Sequence, residues 1–179
     1  MTANHSKSAI HRYFAGLAEN TFQAQLGVVD PVLIDYVSDL LIRFIRLDSV
    51  HKFRGLTGRP LMSVTEMTAE ATARLGSAKR DLHRHIGDFT LFWAGVFPEA
   101  LRQRANDNEH PFESYCSFGK QSYLIASTIV SDKEDEPACT ILEQLSESFE
   151  LCAYGLREVR REWESGEDEE YGPGSILLN

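Results

Sequence analysis

Three side chains that could bind a metal ion lie close together in the sequence. Asp81, His85 and Asp88 are spaced i, i+4 and i+7, which places them on one side of a helix. One imidazole and two carboxylates suit Zn, Mn or Fe, and Glu66 and Glu70 of a preceding helix would be further ligands. A divalent metal bound to this face is therefore one hypothesis.

The same helix face has a simpler interpretation, in which its charges pair with each other across a solvated face. Arg84 and Asp88 are i, i+4 partners, and Arg80 lies beside Asp81. A di-iron bundle would require Glu-x-x-His on two helices, and the sequence contains no Glu-x-x-His. We favour the charge-paired face, predict no cofactor and keep the metal site as the alternative.

Aromatic side chains form the second candidate site. Trp93, Tyr115, Tyr123 and Tyr154 could line an apolar ligand pocket, with the hydroxyl groups placed to orient a ligand. The alternative is that these residues belong to the core and keep their polar tips at its boundary. Both interpretations place the four residues on helices.

Signatures of the well-marked enzyme classes are missing from the sequence. It has no glycine-rich phosphate loop, no G-x-S-x-G elbow, no H-E-x-x-H and no EF-hand loop. Cys116, Cys139 and Cys152 form no C-x-x-C pair, which argues against a disulfide framework and a zinc knuckle. We leave catalytic residues unassigned, favour a non-enzymatic protein and expect a reducing cytoplasm.

The charge balance limits the classes of partner. A formal net charge of −9 disfavours nucleic acid and anionic membranes, which bind through Lys and Arg. The sequence has no apolar run of the length of a membrane span, and Met1 to Ser8 lead into no apolar segment. Lys52, Arg54 and Arg59 lie in a loop that could hold a phosphate or an acidic partner. We expect neither a nucleic-acid nor a membrane partner.

Apolar residues recur every three or four positions over most of the chain, which predicts helices. Asp30 before Pro31 is typical of an N-cap, and Ser63 with Glu66 forms a capping-box pattern. The predicted helices cover approximately 8–25, 31–47, 63–75, 77–97, 98–105, 111–130 and 137–164. We predict an all-α protein with one domain, residues 1–165, built as a bundle of five or six main helices.

The last predicted helix carries the most regular apolar pattern. Its spacing of 3, 4, 3, 4, 3 and 4 is that of a heptad seam. The seam residues are Leu142, Leu145, Phe149, Cys152, Leu156, Val159 and Trp163. Such a seam packs either within the chain or against a second chain, so self-association is one prediction.

Residues 166–179 are predicted to form a flexible acidic tail, because glutamates, an aspartate and glycines crowd there. Its apolar Ile176-Leu177-Leu178 could dock on a partner. The leading hypothesis is therefore a protein-interaction or regulatory module. The alternative is a helical-bundle protein or enzyme that binds a metal or small ligand through the face of Asp81, His85 and Asp88.

Three segments carry a resemblance to known proteins. They are Tyr36-Val37-Ser38-Asp39-Leu40-Leu41, Arg84-His85-Ile86-Gly87-Asp88-Phe89 and Phe149-Glu150-Leu151-Cys152. With them, most of the chain resembles an uncharacterised family of bacterial helical proteins with no assigned activity. The resemblance implies a bacterial, helical protein and supplies no site residues.

Overall fold

The computed structural model describes residues 9–46, 54–55, 58, 61, 63–104, 111–131, 133 and 136–166. Within these ranges the chain forms eight α-helices and one π-helical segment, and no strand. The elements are α1 (Ala9–Glu19), the π-helical segment (Asn20–Gln25), α2 (Pro31–Ile45), α3 (Val64–Ala73), α4 (Gly76–Val96), α5 (Pro98–Arg104), α6 (Pro111–Ser127), α7 (Cys139–Glu147) and α8 (Phe149–Ser165). The predicted all-α class is confirmed. No helix among these elements is long and apolar enough to cross a membrane.

The helix starts at α2 and α3 follow from their capping residues. Asp30 accepts hydrogen bonds at Oδ1 from the backbone N–H groups of Val32 and Leu33, at 2.9 and 3.2 Å. Ser63 Oγ accepts from the N–H of Glu66, and the Glu66 carboxylate accepts from the N–H of Ser63. These bonds satisfy donors that a helix leaves unpaired at its first turn. The predicted caps are therefore confirmed.

The prediction of one helix over 137–164 is wrong, because α7 and α8 are separate. Ser148 joins them with φ −102° and ψ 21°, outside the helical range. Its N–H still bonds to the carbonyl of Gln144, and its carbonyl accepts from the N–H of Cys152. The chain therefore bends at Ser148 while hydrogen bonding continues on both sides. The described residues thus contain eight α-helices, against the five or six main helices predicted.

The helix α4 is central, since it packs against α6, α8, α3, α2 and α5. Small residues allow neighbouring helices to approach closely, as the sequence indicates for Gly119 on α6. A Cβ atom at Gly119 would lie 2.3 Å from the ring of Phe149. Likewise, a Cβ atom at Gly155 on α8 would lie 2.2 Å from the ring of Phe22. Aromatic rings thus fill the space that these glycines leave.

All seven residues of the predicted seam are buried inside this single chain. They face the core on both sides of the bend at Ser148, so the core continues from α7 into α8. Beyond Gly166, the predicted acidic tail lies outside the described residues. Lys52 and Arg59 of the predicted basic loop also lie outside them.

Candidate functional site

A buried carboxylate lies where three helices meet. The side chain of Asp88 on α4 is 2% exposed, and its Oδ1 accepts hydrogen bonds from the hydroxyls of Tyr36 on α2 and Tyr123 on α6, at 2.6 and 2.8 Å. Its Oδ2 accepts from Nη1 of Arg43 at 3.2 Å and lies 3.9 Å from Nε of Arg84. The carboxylate therefore links α2, α4 and α6.

The charges of this cluster follow from its geometry. Burial opposes ionisation of Asp88, but Arg43, Arg84 and the two tyrosine hydroxyls outweigh it and lower the pKa of the carboxyl group. Burial, with the negative charge of Asp88, raises the pKa of both Tyr36 and Tyr123. At neutral pH the cluster thus contains one carboxylate, two neutral hydroxyl donors and two guanidinium cations.

A second carboxylate fixes the segment that leads into α7. Glu136 Oε2 accepts hydrogen bonds from Nη1 of Arg80 at 2.9 Å and Nη1 of Arg84 at 3.0 Å. Nη2 of Arg80, a buried residue, also donates to the carbonyl oxygen of Pro137 at 2.6 Å. These bonds hold residues 136–137 against α4, and so position one wall of a groove.

This groove, here called the α2 groove, runs along α2 beside the start of α7. It consists of two adjoining clefts of about 580 and 410 Å³, which share Tyr36, Asp39 and Pro137. Each volume lies in the range of known ligand sites. Five lining residues of α2 and its C-cap are spaced 4, 3, 4 and 3, as one face of a helix: Val32, Tyr36, Asp39, Arg43 and Arg46. Ile42 of α2 lines the groove as well.

The two ends of the α2 groove differ in chemistry. The apolar end is formed by Val32, Pro137, Ala138 and Ile141, with the polar side chains of Asp30, Thr140 and Gln144 also in its lining. The cationic end is formed by Arg43, Arg46 and Arg84, with His11 of α1 beside them. Arg43 has a third of its side chain exposed, and Arg46 is exposed, so both can meet a ligand.

The cationic end carries a local excess of positive charge. Among the described residues that line or back it, four guanidinium groups lie against three carboxylates, which gives these residues a formal charge of +1 on a chain with −9 overall. These groups belong to Arg43, Arg46, Arg80 and Arg84, and to Asp39, Asp88 and Glu136. This end is therefore a place where an anionic group would be attracted.

The three predicted metal ligands have separate partners. Asp81 accepts a hydrogen bond from Nζ of Lys133 at 2.8 Å, whereas the ring of His85 stacks on Phe44 with centroids 5.9 Å apart. Asp88 is held by the hydroxyl groups and guanidinium groups of the buried cluster. Within the described ranges, no three His, Cys, Asp or Glu side chains are arranged to hold a metal ion. Metal binding by these residues stays a prediction that metal analysis would test.

The further carboxylates of that hypothesis are also engaged. Glu66 closes the capping box of α3, and Glu70 accepts from Nε of Arg74 at 3.2 Å. Nη2 of Arg74 in turn donates to the carbonyl of Arg54, whose own Nη1 donates to the carbonyl of Gly58. The charge pairing expected for the α4 face is found only for Arg84 and Asp88, whereas Asp81 pairs with Lys133 and Arg80 with Glu136. The prediction of a solvated face is wrong, because Arg80, His85 and Asp88 are buried.

The four predicted pocket aromatics lie in different surroundings. Tyr123 is fully buried and bonds to Asp88, and Tyr115 packs half-buried against the core. Trp93 packs among aromatic rings of its own helix and the residue after it, and Tyr154 is 48% exposed on α8. None of the four lines the α2 groove.

The thiols of Cys116 and Cys152 are poor nucleophiles in this fold. Burial raises the pKa of Cys116 to about 11 and that of Cys152 to about 12. Both thiols are therefore protonated at neutral pH, and a thiolate is the reactive form. Cys139 is half-buried, with Sγ 3.7 Å from the carbonyl oxygen of Ile129.

Several groove residues were missed at the level of sequence. Tyr36 reads as one more apolar residue of α2, whereas its hydroxyl bonds to Asp88 and its ring lies under two guanidinium groups, 5.9 Å away. Arg43 and Arg46 continue the spacing of Tyr36 along one helix face, and this was the available signal. No sequence pattern indicates that Glu136 would meet Arg84.

Comparison with known proteins gave no matching family model, no matching curated protein and no matching solved structure. The geometry of the α2 groove is therefore the strongest guide to the function of this chain.

Proposed function

We propose that this protein is a non-enzymatic binding module, and that its α2 groove holds an extended peptide segment of a protein partner. The segment carries carboxylates at the cationic end of the groove and apolar side chains at the other end. The observation that carries the proposal is the single face of α2 that runs from Val32 to Arg46 and lines both clefts.

The length of the groove sets the spacing of the two features in the peptide. Val32 and Arg46 are separated by about 21 Å along the helix axis, at about 1.5 Å per residue. An extended peptide advances about 3.3 Å per residue, so about six positions span the same distance. The fitting segment therefore has acidic residues about six positions from its apolar residues.

The apolar end and the cationic end of the α2 groove would each favour peptide binding, for separate physical reasons. Val32 is 61% exposed, and burying it under an apolar side chain would stabilise the complex by removing both from water. Arg43 and Arg46 would form charge-assisted hydrogen bonds with carboxylates, which strengthen attraction and fix the direction of the peptide. The carboxylate of Asp30 would not repel the peptide strongly, because Val32, Leu33 and Gln144 already donate to it.

The hydrogen bonds already made within the polar cluster of Asp88 support a binding function over a catalytic one. Asp88 already accepts from two hydroxyls and a guanidinium group, so its role is to hold Tyr36 and Arg43 in place. A rigid cluster of this kind preorganises the groove and reduces the entropy lost on binding.

The test uses a fluorescent synthetic peptide of four glutamates, five glycine or serine residues and Ile-Leu-Leu. Anisotropy is measured on the full-length chain and on a serine-tail variant, a full-length chain in which residues 167–170 and 176–178 are serine. The second chain removes competition from similar residues of the protein itself. We expect saturable binding that weakens as salt rises, because the cationic end contributes.

Matched substitutions in the serine-tail variant identify the binding surface. Val32→Glu and Arg46→Glu should each weaken peptide binding about fivefold or more. Arg46→Glu replaces an attraction by a repulsion, and Val32→Glu places a charge against apolar side chains. Val130→Glu and Arg161→Glu are the controls, because both residues are exposed and lie outside the groove. Equal effects of groove and control substitutions, or no saturable binding at all, would overturn the proposal.

A further inference from the structure

The sequence of this chain contains a segment with the chemistry that the α2 groove selects. Residues 167–170 are Glu-Asp-Glu-Glu, and residues 176–178 are Ile-Leu-Leu. Glu170 and Ile176 are six positions apart, which is the spacing that the length of the groove requires. The residues between them include Gly172, Pro173 and Gly174, which disfavour a helix and suit an extended connection.

The described part of the chain ends at Gly166, against a helix that also borders the α2 groove. Gly166 follows α8 and lies against α1, where a Cβ atom added to it would be 3.2 Å from the hydroxyl oxygen of Tyr13. The same helix carries His11, which lines the cationic end. The described part of the chain therefore ends against a helix that also contributes to the cationic end, and the acidic residues come first after Gly166 in the sequence.

The segment is also long enough to reach the far end of the groove. Its thirteen residues, 167–179, span up to about 43 Å when extended, at about 3.3 Å per residue. The four positions from Gly166 to Glu170 span up to about 13 Å, and the six from Glu170 to Ile176 span up to about 20 Å, which is close to the length of the groove.

We infer that residues 167–179 occupy the α2 groove of their own chain, with the carboxylates at Arg43 and Arg46 and Ile-Leu-Leu against Val32 and Ile141. This inference rests on the proposed function, and it names the resting occupant of that site. An outside peptide must displace the segment, so the chain regulates its own binding surface.

Tethering makes this competition effective. A short linker gives the segment an effective concentration of about 1 mM at the groove. A segment with an intrinsic Kd of about 100 μM would then fill the groove in about ten of eleven molecules. The apparent affinity of an outside peptide would fall about tenfold, because only the open fraction binds.

The test measures binding of a fluorescent synthetic peptide, with the sequence of residues 167–179, to three full-length chains. They are the parent, the serine-tail variant and a spacer variant in which only residues 172–174 are serine. The peptide should bind the serine-tail variant about tenfold more tightly than it binds the parent. The spacer variant should behave like the parent, because it keeps the charges and the apolar residues.

An NMR measurement locates the segment on the parent protein. The methyl signals of Val32 should differ between the parent and the serine-tail variant, and added peptide should move the variant's signals toward the parent's positions. The methyl signals of Val130, which is 78% exposed and outside the groove, should stay unchanged.

The outcomes separate the two proposals. If the peptide binds the parent and the serine-tail variant equally, and only Val32→Glu and Arg46→Glu weaken that binding, the result would support peptide binding in the α2 groove. It would overturn the inference that residues 167–179 occupy the groove. Absence of binding to all three chains would overturn both proposals. If the difference in peptide affinity between the parent and the serine-tail variant disappears on dilution, and light scattering shows dimers, then residues 167–179 of a second copy occupy the groove. That result would overturn occupation within one chain.

Discussion

A single carboxylate connects residues that lie far apart in the sequence. Asp88 meets Tyr36 and Arg43 of α2 and Tyr123 of α6, at sequence separations of 52, 45 and 35 residues. Because these partners and Arg84 all donate or carry positive charge, the carboxylate is satisfied despite its burial. The cost of burying the charge is thus offset by bonds that also fix how α2 sits on α4.

Replacing Asp88 by Asn should lower the free energy of unfolding by about 3 kcal/mol at pH 7, because Arg43 and Arg84 lose their buried counter-ion. The pKa of Asp88 is lowered in the folded protein, so its stabilising effect is complete above the pKa of an unfolded Asp, about 3.9. The effect is lost as the pH falls through the lower folded value.

Urea unfolding at pH 7, 5 and 3 tests this prediction. The difference between Asp88→Asn and the parent should be large at the first two values and smaller at pH 3. Asp35→Asn, at an exposed position of α2, is the control and should change stability little at any pH. A pH-independent difference would show that the charge of Asp88 is not what stabilises the fold.

The burial of His83 predicts a second pH dependence of stability, at higher pH than that of Asp88. Burial, and then the charge of Lys79, lower the pKa of His83, whose ring nitrogen Nδ1 lies 3.5 Å from the hydroxyl of Ser122. As the pH falls below about 6.5, His83 is therefore protonated in the unfolded chain before it is protonated in the folded protein. The free energy of unfolding declines in that range. Between pH 7.5 and 5.5, His83→Gln should lose less stability than the parent in thermal melts. Identical slopes would contradict this assignment.

Sequence reasoning identified part of the polar cluster, for a local reason. Arg84 and Asp88 are one helical turn apart, so their pairing follows from spacing alone. The bonds from Tyr36 and Glu136 depend on how α2 and the segment before α7 pack on α4, and no local pattern specifies that packing. Asp88 was accordingly predicted as a surface or metal-binding carboxylate, rather than as a buried link between helices.

At the scale of the elements, helix starts were more predictable than interruptions. Asp30 and Ser63 cap α2 and α3 through side-chain bonds to the next residues, and such bonds have a sequence signature. The bend at Ser148 has none, because the apolar spacing continues through it and backbone bonds persist on both sides. The π-helical segment after α1 likewise continues a helical pattern and differs only in its backbone bonding.

Helix contacts made through glycine give a prediction for α8. Replacing Gly155 by Ala should lower the free energy of unfolding by about 1 to 3 kcal/mol, because the new methyl group would overlap the ring of Phe22. Gly16→Ala on α1 is the matched control, since nothing lies within 4 Å of its Cβ position.

The control substitution should change the free energy of unfolding in the opposite direction. Gly16→Ala should raise stability by about 0.5 to 1 kcal/mol, because alanine loses less backbone entropy in a helix. Chemical denaturation of both variants measures the pair. If Gly155→Ala also gained stability, the close packing of α8 on the π-helical segment would be contradicted.

For the whole molecule, the main question left by the sequence was where the seam of the last helices packs. Its residues are buried with only one chain present, so the area that they remove from water lies within the protomer. Phe149 shows why, because its ring fills the space at Gly119 on α6 and packs near Tyr123, with ring centroids 6.2 Å apart. Farther along α8, Leu156 lies against Gly95 of α4, and the ring of Trp163 packs on that of Phe14 in α1. The seam is therefore covered by helices of the same chain.

Phe149→Ala should accordingly weaken the fold of the single chain. We expect the free energy of unfolding to fall by about 3 to 5 kcal/mol, a large part of the roughly 5 to 15 kcal/mol of a typical domain, because the lost ring leaves a cavity between helices. Phe118→Ala on α6 is the matched control. Phe118 is 39% exposed, so its loss should cost less than about 1 kcal/mol. Thermal melts and light scattering on both variants measure stability and mass together. A seam that packs between chains would instead give a lower mass for Phe149→Ala while the melting temperature of the monomer stayed at the parent value, since the lost area would then come from an interface.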